Sequence, residues 1–228
     1  MVTQEQTEAR RIYARRNRIR RRFVGTSIFA TLAVGFLWYI GVFGGNVHTV
    51  VRGQVYRSAQ LTGHNLDDVL THDHIRSELN LRGGNPTNDW YRNELDECRM
   101  HGVAHYDIDM SARRYPTPLQ LAKIFDVFDH AAYPILYHCK AGSDRTGLVS
   151  TIYLNTYRHE PIEKAYAQGL TWHYGHFSFG ETHAMDDFVH LYMSTSNGEP
   201  LRQWTVDRYP SLYANLPAGV KNANTKGE

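Results

Sequence analysis

Residues 134–147 read Pro134-Ile135-Leu136-Tyr137-His138-Cys139-Lys140-Ala141-Gly142-Ser143-Asp144-Arg145-Thr146-Gly147. The run Pro134–His138 is short, apolar and bounded, which predicts a buried strand. A polar loop with one glycine follows, and the pattern from about Arg145 to Tyr157 predicts a long helix. A strand, a tight glycine loop and a helix start, in that order, make an anion site. The loop turns several backbone N–H groups into one concavity, and the helix adds its positive end. Arg145 brings a planar fork able to hold two phosphate oxygens at once. Cys139 lies at the base of the same cradle. The groups that attract a phosphate there also stabilise a thiolate, so Cys139 is expected to ionise well below the free-thiol value of about 8.5. A thiolate beneath a bound phosphorus is a nucleophile in line. A lone Cys at a strand end is usually a packing residue. The joint pattern of Cys, five residues, Arg, Thr and Gly between a strand and a helix is what carries the chemistry.

The flanking chain alternates strand and helix signals. His48–Arg57 predicts two short strands with a turn at its glycine. Leu66–His74 predicts a short helix, and Ser77–Arg82 a strand ended by Gly83-Gly84-Asn85-Pro86. Asp89–His101 predicts a helix with Trp90, Leu95 and Met100 as core contacts, and Gly102–Met110 another strand. Thr117-Pro118-Leu119-Gln120 is a helix start with a capping Thr, a first-turn Pro and a Gln able to complete a capping box. Leu121, Ile124, Phe125 and Phe128 then recur at helical spacing. Two more helices are expected near Ile162–Gln168 and Thr182–Thr195. This order predicts an α/β domain with a largely parallel central sheet flanked by helices. The expected organisation is a basic N-terminus over 1–22, an anchor over 23–44, a folded domain over 46–217 and a flexible tail over 218–228.

The 228 residues are 42% apolar and 21% charged, with two cysteines, which excludes a disulfide framework and a four-cysteine metal site. Residues 1–22 hold eight Arg and two Glu, a formal +6, so a whole-chain charge of +2 leaves −4 on the rest. A mildly acidic body with a basic tip argues against a nucleic-acid partner. Phe23–Phe43 is a run of 21 uncharged residues. As a helix it would be about 31 Å long, the thickness of a bilayer's hydrocarbon core. The arginines before it predict a cytoplasmic N-terminus and a domain outside the membrane, the periplasm in a bacterial cell. The run exceeds the apolar stretch of a cleavable signal, and GVFGGNVH offers only a weak cleavage site. Arg21-Arg22 loosely resembles a twin-arginine signal, which would alter the export route but not the side.

The segment His138–Gly147 resembles the signature of the cysteine-dependent phosphatase superfamily, His-Cys-x5-Arg-Ser/Thr. Val55-Tyr56-Arg57-Ser58-Ala59-Gln60, Asn80-Leu81-Arg82-Gly83 and Met110-Ser111-Ala112-Arg113 resemble segments of its bacterial dual-specificity-like members. The resemblance spans most of Val50 to about Tyr192. It implies a two-step hydrolysis without metal or cofactor, through a phosphorylated Cys139. Arg145 and the loop Lys140, Ala141, Gly142, Ser143 and Asp144 would bind the phosphate. Thr146 would donate a hydrogen bond to the sulfur, and His138 would brace the loop. The resemblance leaves the substrate open between a phosphoprotein and a phospholipid or lipid A head group. An inactive phosphate-binding module is disfavoured because both Cys139 and Arg145 are present.

The leaving oxygen needs a proton. Asp144 is the favoured acid because the Gly-x-Asp-Arg-Thr pattern resembles phosphatases that use this aspartate. Asp109, then Asp107, are the alternatives on a strand end. Arg113 and Arg114 follow them and read either as contacts for an anionic substrate or as a solvated pair. His72-Asp73-His74 reads as a helix end rather than a metal site. Trp172 and His173-Tyr174-Gly175-His176-Phe177 read as aromatic packing near the rim of the site. Cys98 reads as a buried helix residue, with a redox disulfide to Cys139 as the alternative.

Overall fold

The computed structural model describes residues 16, 20, 23–24, 26–35, 44–178 and 183–221. The chain divides into two units, Met1–Gly41 and Val42–Glu228. In the first, residues 23–24 and 26–35 are helical, and Phe23, Phe29, Leu32 and Val34 are exposed. Among the described residues no helix is long and apolar enough to cross a membrane. The expected span Phe23–Phe43 lies partly outside them.

The second unit is built on a five-stranded sheet: β1 (His48–Val51), β2 (Val55–Ser58), β3 (Ser77–Asn80), β4 (Ala104–Asp107) and β5 (Ile135–His138), in the order β1-β2-β5-β3-β4. Only β1–β2 is antiparallel, so the sheet is largely parallel, as expected. The three inner strands β2, β5 and β3 are buried throughout. Of the three, β5 reads as a short apolar run, whereas β2 and β3 bury polar side chains, Arg57, Ser58, Ser77, Glu78 and Asn80. Helices α1 (His64–His72) and α2 (Asp89–His101) cover one face. There Leu66, Leu70 and Cys98 join Leu136 of β5 in one apolar cluster. On the other face Ile135 and Tyr137 pack with α3 (Pro118–His130) and α4 (Asp144–Arg158) through Leu121, Ile124, Phe128, Leu148 and Ile152. Alternation along β5 thus sends successive side chains into opposite layers. α4 follows β5 on a short connection, which puts the β5–α4 turn at the carboxyl edge of the sheet.

The α3 start forms as the sequence predicts. Gln120 N donates to Thr117 Oγ1 (3.1 Å), Thr117 N donates to Gln120 Oε1 (2.7 Å), and Pro118 occupies the first turn. The core face of α2 differs from the expectation. Trp90 and Leu95 are half-buried and Met100 is 70% exposed, while Tyr91, Glu94 and Cys98 point inward. The buried stripe contains a carboxylate, so apolar spacing alone selects the wrong face.

Beyond α5 (Ile162–Gly169) and a 3-10 turn at Trp172–Tyr174 come α6 (Ala184–Thr195), α7 (Leu201–Asp207) and α8 (Tyr209–Asn215). The last two were not expected. They pack Trp204 and Tyr209 against Phe188 of α6. The boundary drawn at 218 falls inside a contact. Ala218–Val220 is a 3-10 turn, Tyr115 N donates to Val220 O (3.0 Å), and Lys221 forms a bridge with Tyr115.

Candidate active site

β5 ends at His138, the loop runs from Cys139 to Ser143, and α4 begins at Asp144. A tight loop must dispose of its carbonyls before its amides can face a ligand. Here two remote side chains take them from behind. Asn46 Nδ2 donates to Ala141 O (2.9 Å) and Gly142 O (3.1 Å). Arg57 Nη2 donates to Gly142 O (2.8 Å) and Ser143 O (3.3 Å). Gln60 N donates to Lys140 O (3.4 Å). With the carbonyls turned outward, the N–H groups of Gly142 and Thr146 reach the Cys139 sulfur. Gly142 has φ +70°, and a Cβ there would lie 2.6 Å from Ala59 N, so only glycine fits.

Arg57 is wholly buried, and among the described residues it pairs with no carboxylate. Its other nitrogen, Nη1, donates to Ser150 Oγ (3.1 Å) and Gly169 O (2.9 Å), and its guanidinium lies 4.2 Å from the Tyr174 ring centroid. A second glycine makes that reach possible. A Cβ on Gly147 would meet Leu170 at 2.7 Å and Gly169 O at 2.9 Å, so α4 and the end of α5 touch only because it is absent. Burial draws the Arg57 pKa below its ordinary value. The cation nonetheless sits directly behind the loop that must hold an anion.

Cys139 is 2% exposed. Burial pushes its pKa up, but the Arg145 charge and the amides of Thr146 and Gly142 outweigh it, and the net shift is downward. The Thr146 hydroxyl lies 3.9 Å from the sulfur and accepts from Arg57 Nη2 (3.2 Å). The contact implied for Thr146 is therefore made mainly by its backbone. Arg145 is 7% exposed, and its Nη1 donates to Met110 O (2.9 Å) and Leu81 O (3.4 Å). Its Nε is buried without a partner among the described residues. Carbonyls at the ends of two neighbouring strands thus fix one side of the fork and leave the other for an anion. Lys140 and Ala141 are exposed at the mouth, while Gly142 and Ser143 are buried.

The three candidate acids have different surroundings. Asp107 is occupied. Its carboxylate accepts from Asn80 Nδ2 (2.8 Å) and from the Tyr91 hydroxyl. Asp109 is next to Met110 on the Arg145 side, where burial raises its pKa against the opposing pull of Arg145. Asp144 lies within the loop, and its Oδ1 is 2.7 Å from His176 Nδ1.

His138 sits between two buried carboxylates. It is 1% exposed, and its Nε2 lies 3.3 Å from Glu94 Oε2 and 3.6 Å from Glu78 Oε1. Burial pushes Glu94 up, but His138, His105 and Gln60 together bring it down to about 2. Burial raises Glu78. His138 is also raised, its two carboxylates outweighing burial. Cys98 is a buried helix residue, as expected, and the alternative disulfide to Cys139 is not formed: both thiols are free, and Cys98 Sγ donates to Glu78 Oε2 (2.6 Å). His72 pairs with the adjacent Asp73 (3.2 Å) at the surface, and Arg114 donates to Gly219 O.

Sequence reasoning missed Asn46, Arg57 as the loop's rear support, and His176. Segment 172–177 does contribute packing, since Tyr174 covers Arg57 and Trp172 stacks on His173 at 3.9 Å. His176, however, is 5% exposed and carries polar contacts at both ring nitrogens. Its partners are 32 residues before it and 10 after it, beyond any local spacing signal.

A family model described as the tyrosine phosphatase family matches residues 41–160. No curated protein sequence matches the chain significantly. Among solved structures, TpbA of P. aeruginosa is 17% identical, with a TM-score of 0.50 over 68% of this chain and 92% of that one. The catalytic core of the PP-IP phosphatase SIW14 from S. cerevisiae is 22% identical, with a TM-score of 0.51 over 75% of this chain and 94% of that one. At these identities the likenesses show a shared fold. The chain belongs to the tyrosine phosphatase family, and it is a cysteine-based phosphatase.

Proposed function

We propose that the protein hydrolyses phosphomonoesters on proteins, phosphotyrosine foremost, through a cysteinyl-phosphate. The observation that carries this reading is the Cys139 sulfur, buried under the amides of Gly142 and Thr146 and beside Arg145, with its pKa drawn down. The thiolate attacks phosphorus. The S–P bond forms, the P–O bond breaks, and the leaving oxygen takes the proton of Asp144. Water then attacks phosphorus, the S–P bond breaks, and Asp144 takes a proton from the water. Arg145 and the loop amides hold the equatorial oxygens in both steps.

The test is turnover by the full chain in detergent, with p-nitrophenyl phosphate, a phosphotyrosyl peptide and phospholipid vesicles. Cys139→Ser is expected to lose at least about 10³-fold in turnover while keeping its fold. An unchanged rate in that variant would overturn the mechanism. Hydrolysis of the phospholipid but not of the peptide would replace the protein substrate with a lipid.

We also infer that residues 23–43 anchor the protein in a membrane, with the N-terminus cytoplasmic and the phosphatase domain outside, periplasmic in a bacterium. The eight preceding arginines and the exposed apolar side chains of the described helix support this reading. A C-terminal reporter that works only outside the cytoplasm should be active. Activity only of a cytoplasmic reporter would overturn the orientation.

A further inference from the structure

Asp144 does not stand alone in the loop. His176 Nδ1 lies 2.7 Å from its Oδ1, and His176 Nε2 lies 2.9 Å from Asp186 Oδ2 and 3.2 Å from Asp186 Oδ1. Tyr166 Oη donates to Asp186 Oδ1 (2.7 Å). The imidazole is 5% exposed and Asp186 is 4% exposed. Its segment is fixed from both sides. His176 N donates to Thr171 O (3.2 Å), and Asn46, the residue that also holds the loop, donates to Tyr174 O (2.9 Å). This is a built arm from α5, α6 and the 3-10 turn, and it ends on one oxygen of the loop aspartate.

We propose that His176, held by Asp186, is a positioning residue for Asp144: it engages Oδ1, assigns the travelling proton to Oδ2, and meets the charge that appears when that proton leaves. This rests on the reading of Asp144 as the acid. The step balances simply. Oδ2 gives its proton to the leaving oxygen, and the new carboxylate faces an imidazolium that keeps both of its protons. In the second step the same carboxylate takes a proton from water. Asp186 has a distinct part. While Asp144 is neutral, His176 would be left a buried cation with one ionic partner gone, and Asp186 keeps it charged through that interval.

The ionisable groups around His176 are Asp144 at the start of α4, Asp186 on α6, Tyr166 on α5 and, across the Tyr174 ring, Arg57 on β2. Burial pulls His176 down, but its hydrogen bonds to Asp144 and Asp186 raise it to about 9. The imidazolium therefore persists through neutral pH and is lost as pH rises through about 9.

The experiment compares His176→Gln, Asp186→Asn and Asp144→Asn in the full chain, using aryl phosphates of graded leaving-group pKa across a pH series. Activated p-nitrophenyl phosphate needs little proton donation, whereas phenyl phosphate needs much more. His176→Gln is expected to lose about 10–100-fold with phenyl phosphate and far less with p-nitrophenyl phosphate. Its alkaline limb near pH 9 should vanish. Asp186→Asn, which preserves shape, should keep the limb but move it down toward the ordinary histidine value of about 6.5. Adding Asp144→Asn to His176→Gln should cost little more than Asp144→Asn alone. If Asp144→Asn shows the leaving-group dependence and the His176 and Asp186 variants show neither it nor the shifted limb, the positioning role is overturned and the proposed acid stands. If Asp144→Asn itself shows no such dependence, the acid assignment fails, and this inference with it.

Discussion

The two imidazoles that stand at opposite ends of the cysteine loop are each gripped by a pair of carboxylates. His138 precedes Cys139 and faces Glu78 and Glu94. His176 faces Asp144, the residue before Arg145, and Asp186. The difference lies in the outer partner. The Glu78 and Glu94 side chains are 2% and 0% exposed, whereas the Asp144 side chain is 18% exposed. Both carboxylates of the first cluster are buried, so neither reaches solvent directly. The second opens through one carboxylate onto the mouth of the loop, so its charge can respond to a bound substrate. On the reading proposed above, similar chemical parts serve as a buried pair or as a proton device according to whether one member reaches solvent.

The sharpest way to break this comparison is to remove a carboxylate from the buried cluster. Glu94→Gln leaves His138 and His105 without their shared anion. It is expected to cost about 3–5 kcal/mol of stability, because a buried pair broken on one side leaves an uncompensated charge. Chemical unfolding measures it, and turnover per folded molecule should change little. Large loss of turnover without loss of stability would erase the distinction between the two clusters. Next in size is the open cluster. Asp144→Asn should lower kcat about 10²–10⁴-fold for a phosphotyrosyl peptide and leave stability nearly unchanged. Asp109→Asn should do much less. The reverse ranking of the two aspartate variants would move the acid to the strand end, where burial already raises Asp109.

The open half of the site was legible wherever its parts are contiguous. Cys139, the loop and Arg145 lie within seven residues of one another. β5 read correctly because burial on both faces leaves an apolar run, and the α3 start because a capping box is local. The supports were not legible, for a topological reason. Asn46 meets Ala141 across 95 positions and Arg57 meets Gly142 across 85. Only the β2–β5 pairing, which sets Ser58 opposite His138, makes them neighbours. The core face of α2 failed because Glu94 is buried by pairing, and apolar periodicity assigns a glutamate to solvent. The α7 and α8 helices failed because each is seven residues long, too short for a periodic signal.

The smallest effects are those of pH on stability, and they separate the two clusters by sign. Glu94 sits near 2 in the folded protein against an ordinary 4.5. Its contribution is complete above 4.5 and is lost as pH falls toward 2. His176 sits near 9 against an ordinary 6.5. Its contribution is complete below 6.5 and is lost as pH rises through 9. Stability profiles of each variant subtracted from the wild type should therefore be mirror images. The gap for Glu94→Gln should be wide at neutral pH and narrow on the acid side, and the gap for His176→Gln should narrow on the alkaline side. A His176→Gln gap that stayed constant from pH 6 to 10 would mean that the imidazole is neutral in the folded protein. Asp144 would then face no cation, and the two clusters would differ in charge as well as in access.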